Sequence, residues 1–269
     1  MSILLSEPTD AIMKLFEPLD HHLGAQAVSL GRIPGKVLVD DPANPMAAVT
    51  WIKHRVYLAG KPTAEFKIDV QRLLTDTIFP EARQAGRERY ILYYTCNDWP
   101  EASQALLEGL EVAYEWRLYF EYRQAQVDWG QMIPPNMVMQ QIDSRLLNSR
   151  GLIGRNQIVQ ALTAEGSSIE DALKRQFGLC LLHRRLIVAR CLSEYNGDGR
   201  CEFGIITHPD YRRQGLATIV AAALADRAPL FGVSRIGWHC WEKNRASALL
   251  AQKVGFEQVI RYPVVTGHL

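Results

Sequence analysis

Long apolar runs are missing: no stretch of the 269 residues approaches the roughly 18 consecutive apolar positions that a helix needs to cross a bilayer. The N-terminal stretch, MSILLSEPTDAIMKLFEPLD, also lacks the basic start and small-residue cleavage site of a secretion signal. Neither sign of charge is in excess, with 30 Lys and Arg against 29 Asp and Glu and a formal net charge of +1. That balance argues against a nucleic-acid or membrane-surface role driven by bulk charge. Cysteine is sparse and scattered: Cys96, Cys180, Cys191, Cys201 and Cys240 are odd in number and form no C-x-x-C. All but Cys96 sit in apolar runs, where Cys behaves as a small core residue. The expectation is a reduced, cytoplasmic protein with no disulfide framework and no metal. The phosphate-loop pattern G-x-x-x-x-G-K-[ST] and a strand-linked G-x-G-x-x-G are absent too, which disfavours an unrelated nucleotide-binding fold.

What is present is concentrated in one stretch, Cys201 to Arg227. A short apolar run, Phe203 to Thr207, reads as a buried strand, followed by a turn at His208-Pro209-Asp210 and the segment Arg212-Arg213-Gln214-Gly215-Leu216-Ala217. From Leu216 an Ala-, Leu-, Ile- and Val-rich run continues as a helix to near Ala228-Pro229. A strand, a basic Gly-containing turn and a helix make an anion site: the first-turn amides have no intrahelical partner and the helix dipole adds positive charge there. Gly215 lets the backbone approach a phosphate, while Arg212 and Arg213 supply field and donors. The same arginines also fit ordinary solvated turn positions.

Arg212-x-x-Gly215-x-Ala217 between strand and helix resembles the acyl-CoA signature, Gln/Arg-x-x-Gly-x-Gly/Ala, of the GNAT superfamily of N-acetyltransferases. Arg235 to Trp241 reads as the next strand. Asn244-Arg-Ala-Ser247, closing in Lys253-Val-Gly255-Phe256, resembles the later Asn-x-x-Ser/Ala helix of the same superfamily. In the N-terminal half, Pro34-Gly35-Lys-Val-Leu-Val-Asp40-Asp41-Pro and Leu58-Ala-Gly60 resemble the start of the zwittermicin-resistance-like subgroup, whose members carry a degenerate GNAT-like half before the active one. An unrelated α+β cap domain is the other reading of that half.

Along the first half, residues 9–24 have helix-like apolar spacing limited by Pro18. Strands are expected at 26–30, 36–40, 46–51, 55–58, 90–95 and 115–122, with helices at 65–74 and 102–110. The Gly and prolines of Val127 to Pro135 mark the boundary, giving a GNAT-like domain over 1–128 without a cofactor motif and a catalytic domain over 129–269. In the latter, 136–147 reads as a strand and 154–164 and 168–175 as helices, with Ser168 as N-cap. Strands at 177–183 and 186–193 form a hairpin, and Asn196-Gly-Asp-Gly199 is a turn signal. The order matches the α+β GNAT arrangement: a mixed, mostly antiparallel sheet flanked by helices, here in two tandem halves.

The resemblance implies acetyl-CoA as donor, its pantetheine arm along Phe203 to Thr207 (Ile205, Ile206 and Thr207) and its diphosphate on Arg213, Gln214, Gly215, Leu216, Ala217 and Thr218. It puts Asn244 and Ser247 near the acetyl end, although Asn244 also fits a plain N-cap. The reaction it implies is direct attack of a primary amine on the thioester. A lysine-like ammonium has a pKa near 10.4, so exposing its lone pair at pH 7 costs about 4–5 kcal/mol, and a carboxylate base is the usual remedy. The superfamily's position for it falls on Cys201. Glu202 stands one residue on, with alternation turning it to the other sheet face, and Glu194 and His239 are further candidates. Many members place a Tyr acid seven residues after the Asn, but here that position is Ala251, leaving Ser247, Tyr262 or no dedicated acid. The expected acceptor is a small amine-bearing molecule, a protein amine coming second. A CoA-binding module without turnover is the alternative. The acceptor's identity and the oligomeric state are not written in the sequence.

Overall fold

The β-branched and aromatic alternation of the first half builds a meander. Here β1 (Ile3–Leu5), β2 (Val37–Val39), β3 (Ala47–Ile52) and β4 (Arg55–Gly60) pair antiparallel in that order. The computed structural model describes residues 2–6, 8–165 and 168–269. The chain divides into two units, Met1–Trp116 with Tyr262–Leu269, and Arg117–Arg261. The sequence-derived border between 128 and 129 therefore falls inside the second unit. Among the described residues no helix is long and apolar enough to cross a membrane.

In the first unit, α1 (Asp10–Leu15) and α2 (Leu23–Ser29) precede β2. A helical stretch, α3 (Ala64–Leu73) and α4 (Phe79–Gln84) joined by a π-turn over Leu74–Ile78, carries the chain from β4 to β5 (Arg89–Tyr94), which lies parallel to β4. Phe66, Val70, Leu74, Ile78 and Phe79 bury one face of that stretch against Val49, Leu58 and Leu92. Two short helices follow, α5 (Asp98–Glu101) and α6 (Ser103–Leu106). Two segments differ from what the sequence pattern predicts. Residues 26–29 belong to a helix, with Leu30 as its C-cap, and not to a strand; nearly every side of α2 is buried and no amphipathic stripe marks it. The helix expected over 102–110 is confined to α6.

The second unit repeats the strand–helix–parallel strand step. It takes β6 (Ala113–Tyr122) from Arg117 on, then β7 (Met137–Gln141), α7 (Ser144–Leu147), α8 (Arg155–Leu162), α9 (Ile169–Arg175), β8 (Gly178–His183) and β9 (Leu186–Gly197). β10 (Arg200–Thr207), α10 (Leu216–Arg227), β11 (Arg235–Trp241) and α11 (Arg245–Val254) follow, before β12 (Phe256–His268). The strand order is β6-β11-β10-β9-β8-β7, antiparallel except for β10 and β11. The strand expected over 136–147 stops at Gln141, since Asp143 accepts from the Leu146 amide at 2.8 Å and opens α7. Ser168 caps α9 through the Asp171 amide at 3.1 Å. The β9–β10 turn is the pair Asp198-Gly199, both at positive φ (51° and 70°), the backbone of a tight type I′ hairpin. β12 leaves this unit at Arg261, and Val265 to His268 pair with β5 in the first.

α10 is apolar almost all round, and Leu216, Ile219, Val220, Ala223 and Leu224 are buried against Cys201, Phe203, Ile236 and Trp238. That core fixes where the helix begins, and so where its free amides point.

Candidate active site

The turn before α10 is held from both sides. A single 3-10 turn, Pro209–Tyr211, puts the Tyr211 hydroxyl 2.8 Å from His183 Nδ1, and Gln214 Nε2 donates to the Asp210 carbonyl at 3.3 Å. Arg213 (φ 60°) and Gly215 (φ 77°) both take the left-handed conformation, which turns neighbouring N–H groups toward one concavity. No side chain caps α10, and its first bond is Ile219 N–H to the Gly215 carbonyl at 3.2 Å. The amides of Leu216, Ala217 and Thr218 therefore lie outside the helical ladder. A Cβ built on Gly215 meets nothing within 4 Å: the space over the turn is open.

Beside the turn the sheet forks. β10 pairs with β11 only through Arg200, Cys201 and Glu202, the last opposite Gly237. Beyond that, β11 stays with β6 out to Trp241. From Phe203 on, β10 is partnered only on its β9 side, where Thr207 still faces Ala189. A groove of about 640 Å³ runs from the fork to the turn, lined by Ile205, Ile206, Thr207, Arg212, Arg213, Gly215, Leu216, Ala217, Thr218, Asn244 and Ser247. Those eleven residues, expected from the sequence to meet a CoA thioester, share one surface. Gln214 is not in the lining. Tyr211, Ala246 and Leu250 complete it, and sequence reasoning missed them. Their signal was present for α11, where Ala246 and Leu250 stand four apart on one helix face.

Asn244 does cap α11, its Oδ1 accepting from the Ser247 amide at 3.2 Å. The Ser247 hydroxyl accepts from Trp238 Nε1 at 3.0 Å, and a hydrogen bond from it to the Cys240 side chain opposes the upward push of burial on that thiol. Ala251, at the superfamily's Tyr position, is fully buried in the core. Tyr262 lies in the first unit, its ring edge-on to His21 and His22.

The carboxylates stand on the opposite sheet face. Cys201 and Phe203 point into the α10 core, and burial pushes the Cys201 thiol far above its ordinary range, so it cannot serve as a base. By alternation Glu202, Gly204 and Ile206 share the other face. Glu194 is cross-strand from Glu202 and so lies there too. Glu202 is buried, with Oε1 3.6 Å from His239 Nε2. The His239 ring packs 4.7 Å from Tyr119, whose hydroxyl donates to Glu121 at 3.3 Å. Burial, then Glu121 and Glu202, push the Tyr119 phenol up. It stays protonated.

The site thus brings together an open turn, a forked parallel strand pair and carboxylates behind the fork. The chain belongs to the GNAT acetyltransferase family, whose sequence pattern matches residues 13–265. It is similar, at 24% identity over 233 residues covering 86% of this chain and 85% of the relative, to the uncharacterized N-acetyltransferase YdfB of Bacillus subtilis (strain 168). Its fold is similar to that of a GCN5-related N-acetyltransferase-like protein from Streptococcus suis 89/1591, with TM-score 0.69 and 21% identity, over 96% of this chain and 97% of that one. It is also similar to a tandem GNAT protein from the clavulanic acid biosynthesis pathway, with TM-score 0.56 and 11% identity, over 100% and 98% of the two chains. The protein is thus an acetyltransferase of the GNAT family, a family that takes its acetyl group from acetyl-CoA.

Proposed function

We propose that the groove beside α10 binds acetyl-CoA and that the enzyme acetylates the primary amine of a small molecule. The observation that carries this reading is the single lining shared by Ile205 to Thr207, Arg212 to Thr218 (Gln214 apart), Asn244 and Ser247. The group fits: a left-handed glycine with open space above it, amides outside the helical ladder and two flanking arginines match a diphosphate. The bound thioester supplies the electrophilic acyl carbon. Ile205, Ile206 and Thr207 present β10 backbone that has lost its β11 partner, ready to hydrogen-bond an extended arm. Glu202 or Glu194 takes the proton that the acceptor ammonium must lose, and the Ser247 hydroxyl donates toward the leaving sulfur.

In the same reading the enzyme falls in the zwittermicin-resistance-like subgroup, with residues 1–128 as a degenerate GNAT-like domain and 129–269 as the catalytic one. The supporting observation is the contrast between two helix starts. At the β4–α3 step, Thr63 caps the helix by accepting from the Phe66 amide at 3.2 Å, and Pro62 offers no N–H. That turn has one first-turn amide taken up by a side-chain cap, whereas no side chain caps α10.

The test is thioester consumption, read with a thiol reagent, against a panel of small amines and one peptide N-terminus. Turnover on small amines is expected. Turnover on the peptide alone contradicts the small-molecule reading, and none on any amine contradicts the proposal outright.

A further inference from the structure

The central strand has a gap in its side-chain row, and a carboxylate fills it. A Cβ built on Gly204 would fall on the Glu194 carboxylate group, so the side chain of Glu194 crosses from β9 and lies over the β10 backbone. Gly204 is not in the left-handed region, and the strand's dihedrals do not call for glycine there. What the missing side chain provides is room. Glu194 thereby reaches β10 two residues past Glu202, where the pairing with β11 has already ended.

Its neighbours separate its role from that of Glu202. Like charges directly across a strand pair are unfavourable, and each of these two carboxylates has a different basic neighbour. For Glu202 it is His239 at 3.6 Å, in a closed corner with Tyr119 and Glu121, the latter held by Arg235 and Arg123. On the strand and face of Glu194 the basic group is Arg190, buried, with Nη2 donating to the Gln157 carbonyl at 3.3 Å. That bond ties the guanidinium to α8. Glu202 is 9% exposed, whereas Glu194 and Gly204 are only half-buried and stand beside the exposed side chain of Ile206. A group that takes a proton from an incoming ammonium has to be reachable.

Resting on the amine-acceptor reading above, we propose that Glu194 is the carboxylate that meets the acceptor, and that Gly204 is a positioning residue that admits it to the fork. The ammonium N–H bond breaks, its electron pair stays on nitrogen, and the proton goes to a Glu194 oxygen. The freed pair then attacks the acyl carbon, the C–S bond breaks with its pair on sulfur, and the second proton shed by the new amide nitrogen goes to the departing thiolate, leaving amide and CoA thiol. Glu202 with His239 shapes the floor.

The test compares Glu194→Gln, Gly204→Ala and the double variant on the fastest amine of the panel, with a crystal structure of Gly204→Ala. The clash at Gly204 is with the far end of a flexible side chain, so the variant should fold. The expected losses in kcat are on the order of 100-fold for Glu194→Gln, the scale of one proton-transfer group, and at least ~10-fold for Gly204→Ala through misplacement. The KM for acetyl-CoA should hold, and the double variant should be no slower than Glu194→Gln alone. In the crystal the Glu194 carboxylate should have moved off β10. Wild-type kcat in either single variant overturns the inference. So does a Gly204→Ala loss that persists at full size in the Glu194→Gln background, or an unmoved carboxylate. A wild-type enzyme inert toward every amine overturns this inference and the acceptor reading together, which no variant result does.

Discussion

The indole N–H of Trp238 donates to the hydroxyl of Ser247 across 3.0 Å, tying the middle of β11 to the first turn of α11. Trp238 is 1% exposed, so that bond is the reason a small polar residue suits position 247, independent of any chemistry there. Ser247→Ala leaves a buried donor unpaired, which costs about 1–3 kcal/mol. We expect that loss in denaturant unfolding, together with a fall in kcat and little change in KM for acetyl-CoA. Ser247→Thr, which keeps the hydroxyl, should recover both. An alanine variant as active as the wild type would show that the hydroxyl only positions the helix.

Gly255 closes α11 at φ 116°, and a Cβ there would collide with the Gln124 carbonyl oxygen. A left-handed cap alone disfavours alanine by roughly 1 kcal/mol, and backbone displacement adds to it. Gly255→Ala should lose more than ~2 kcal/mol in chemical denaturation, whereas the exposed, clash-free Gly86→Ala should lose only about the cap term.

These glycines also show what could be read in advance. The turn at Gly215, the caps at Ser168 and Asn244 and the strands around them were legible because each rests on local chemistry: a side-chain acceptor, a left-handed residue, a short apolar run. Residues 26–30 were not, because Ala25, Ala27, Val28 and Ser29 are buried together and a short apolar run does not separate helix from strand. The orientation of Glu202 was half legible. Alternation placed it opposite Cys201, yet its partner depended on the irregularity between Arg200 and Glu202, where Tyr195 on β9 sits at φ 54°. A bulge of one residue changes which side chains share a face. The position of Glu194 over Gly204 depends on that register, and no local pattern encodes it.

Alkaline pH should expose two buried acids. Burial raises the Cys180 thiol from its ordinary 9.0 to about 12, with Asp143 adding to the effect, and it raises the Tyr90 phenol from 10.0 to about 12. A folded-state pKa above the unfolded one contributes stability that is complete below the unfolded value and is lost as pH climbs through the folded one. The melting temperature should therefore begin to fall above pH 9 and keep falling toward pH 12. In Cys180→Ala, the deficit relative to wild type should shrink between pH 8 and pH 11. A deficit that stays constant would contradict this assignment.

Cofactor binding depends on the open turn before α10, and calorimetric titration with CoA tests that dependence directly. The wild type should bind one CoA per chain, since the β4–α3 turn, unlike the one before α10, carries a side-chain cap and follows a proline. Gly215→Val, which fills the space over the turn and strains a residue at φ 77°, should weaken binding by at least ~10-fold while the protein remains folded. Undiminished affinity in that variant, or a wild type that fails to bind CoA, would contradict the account.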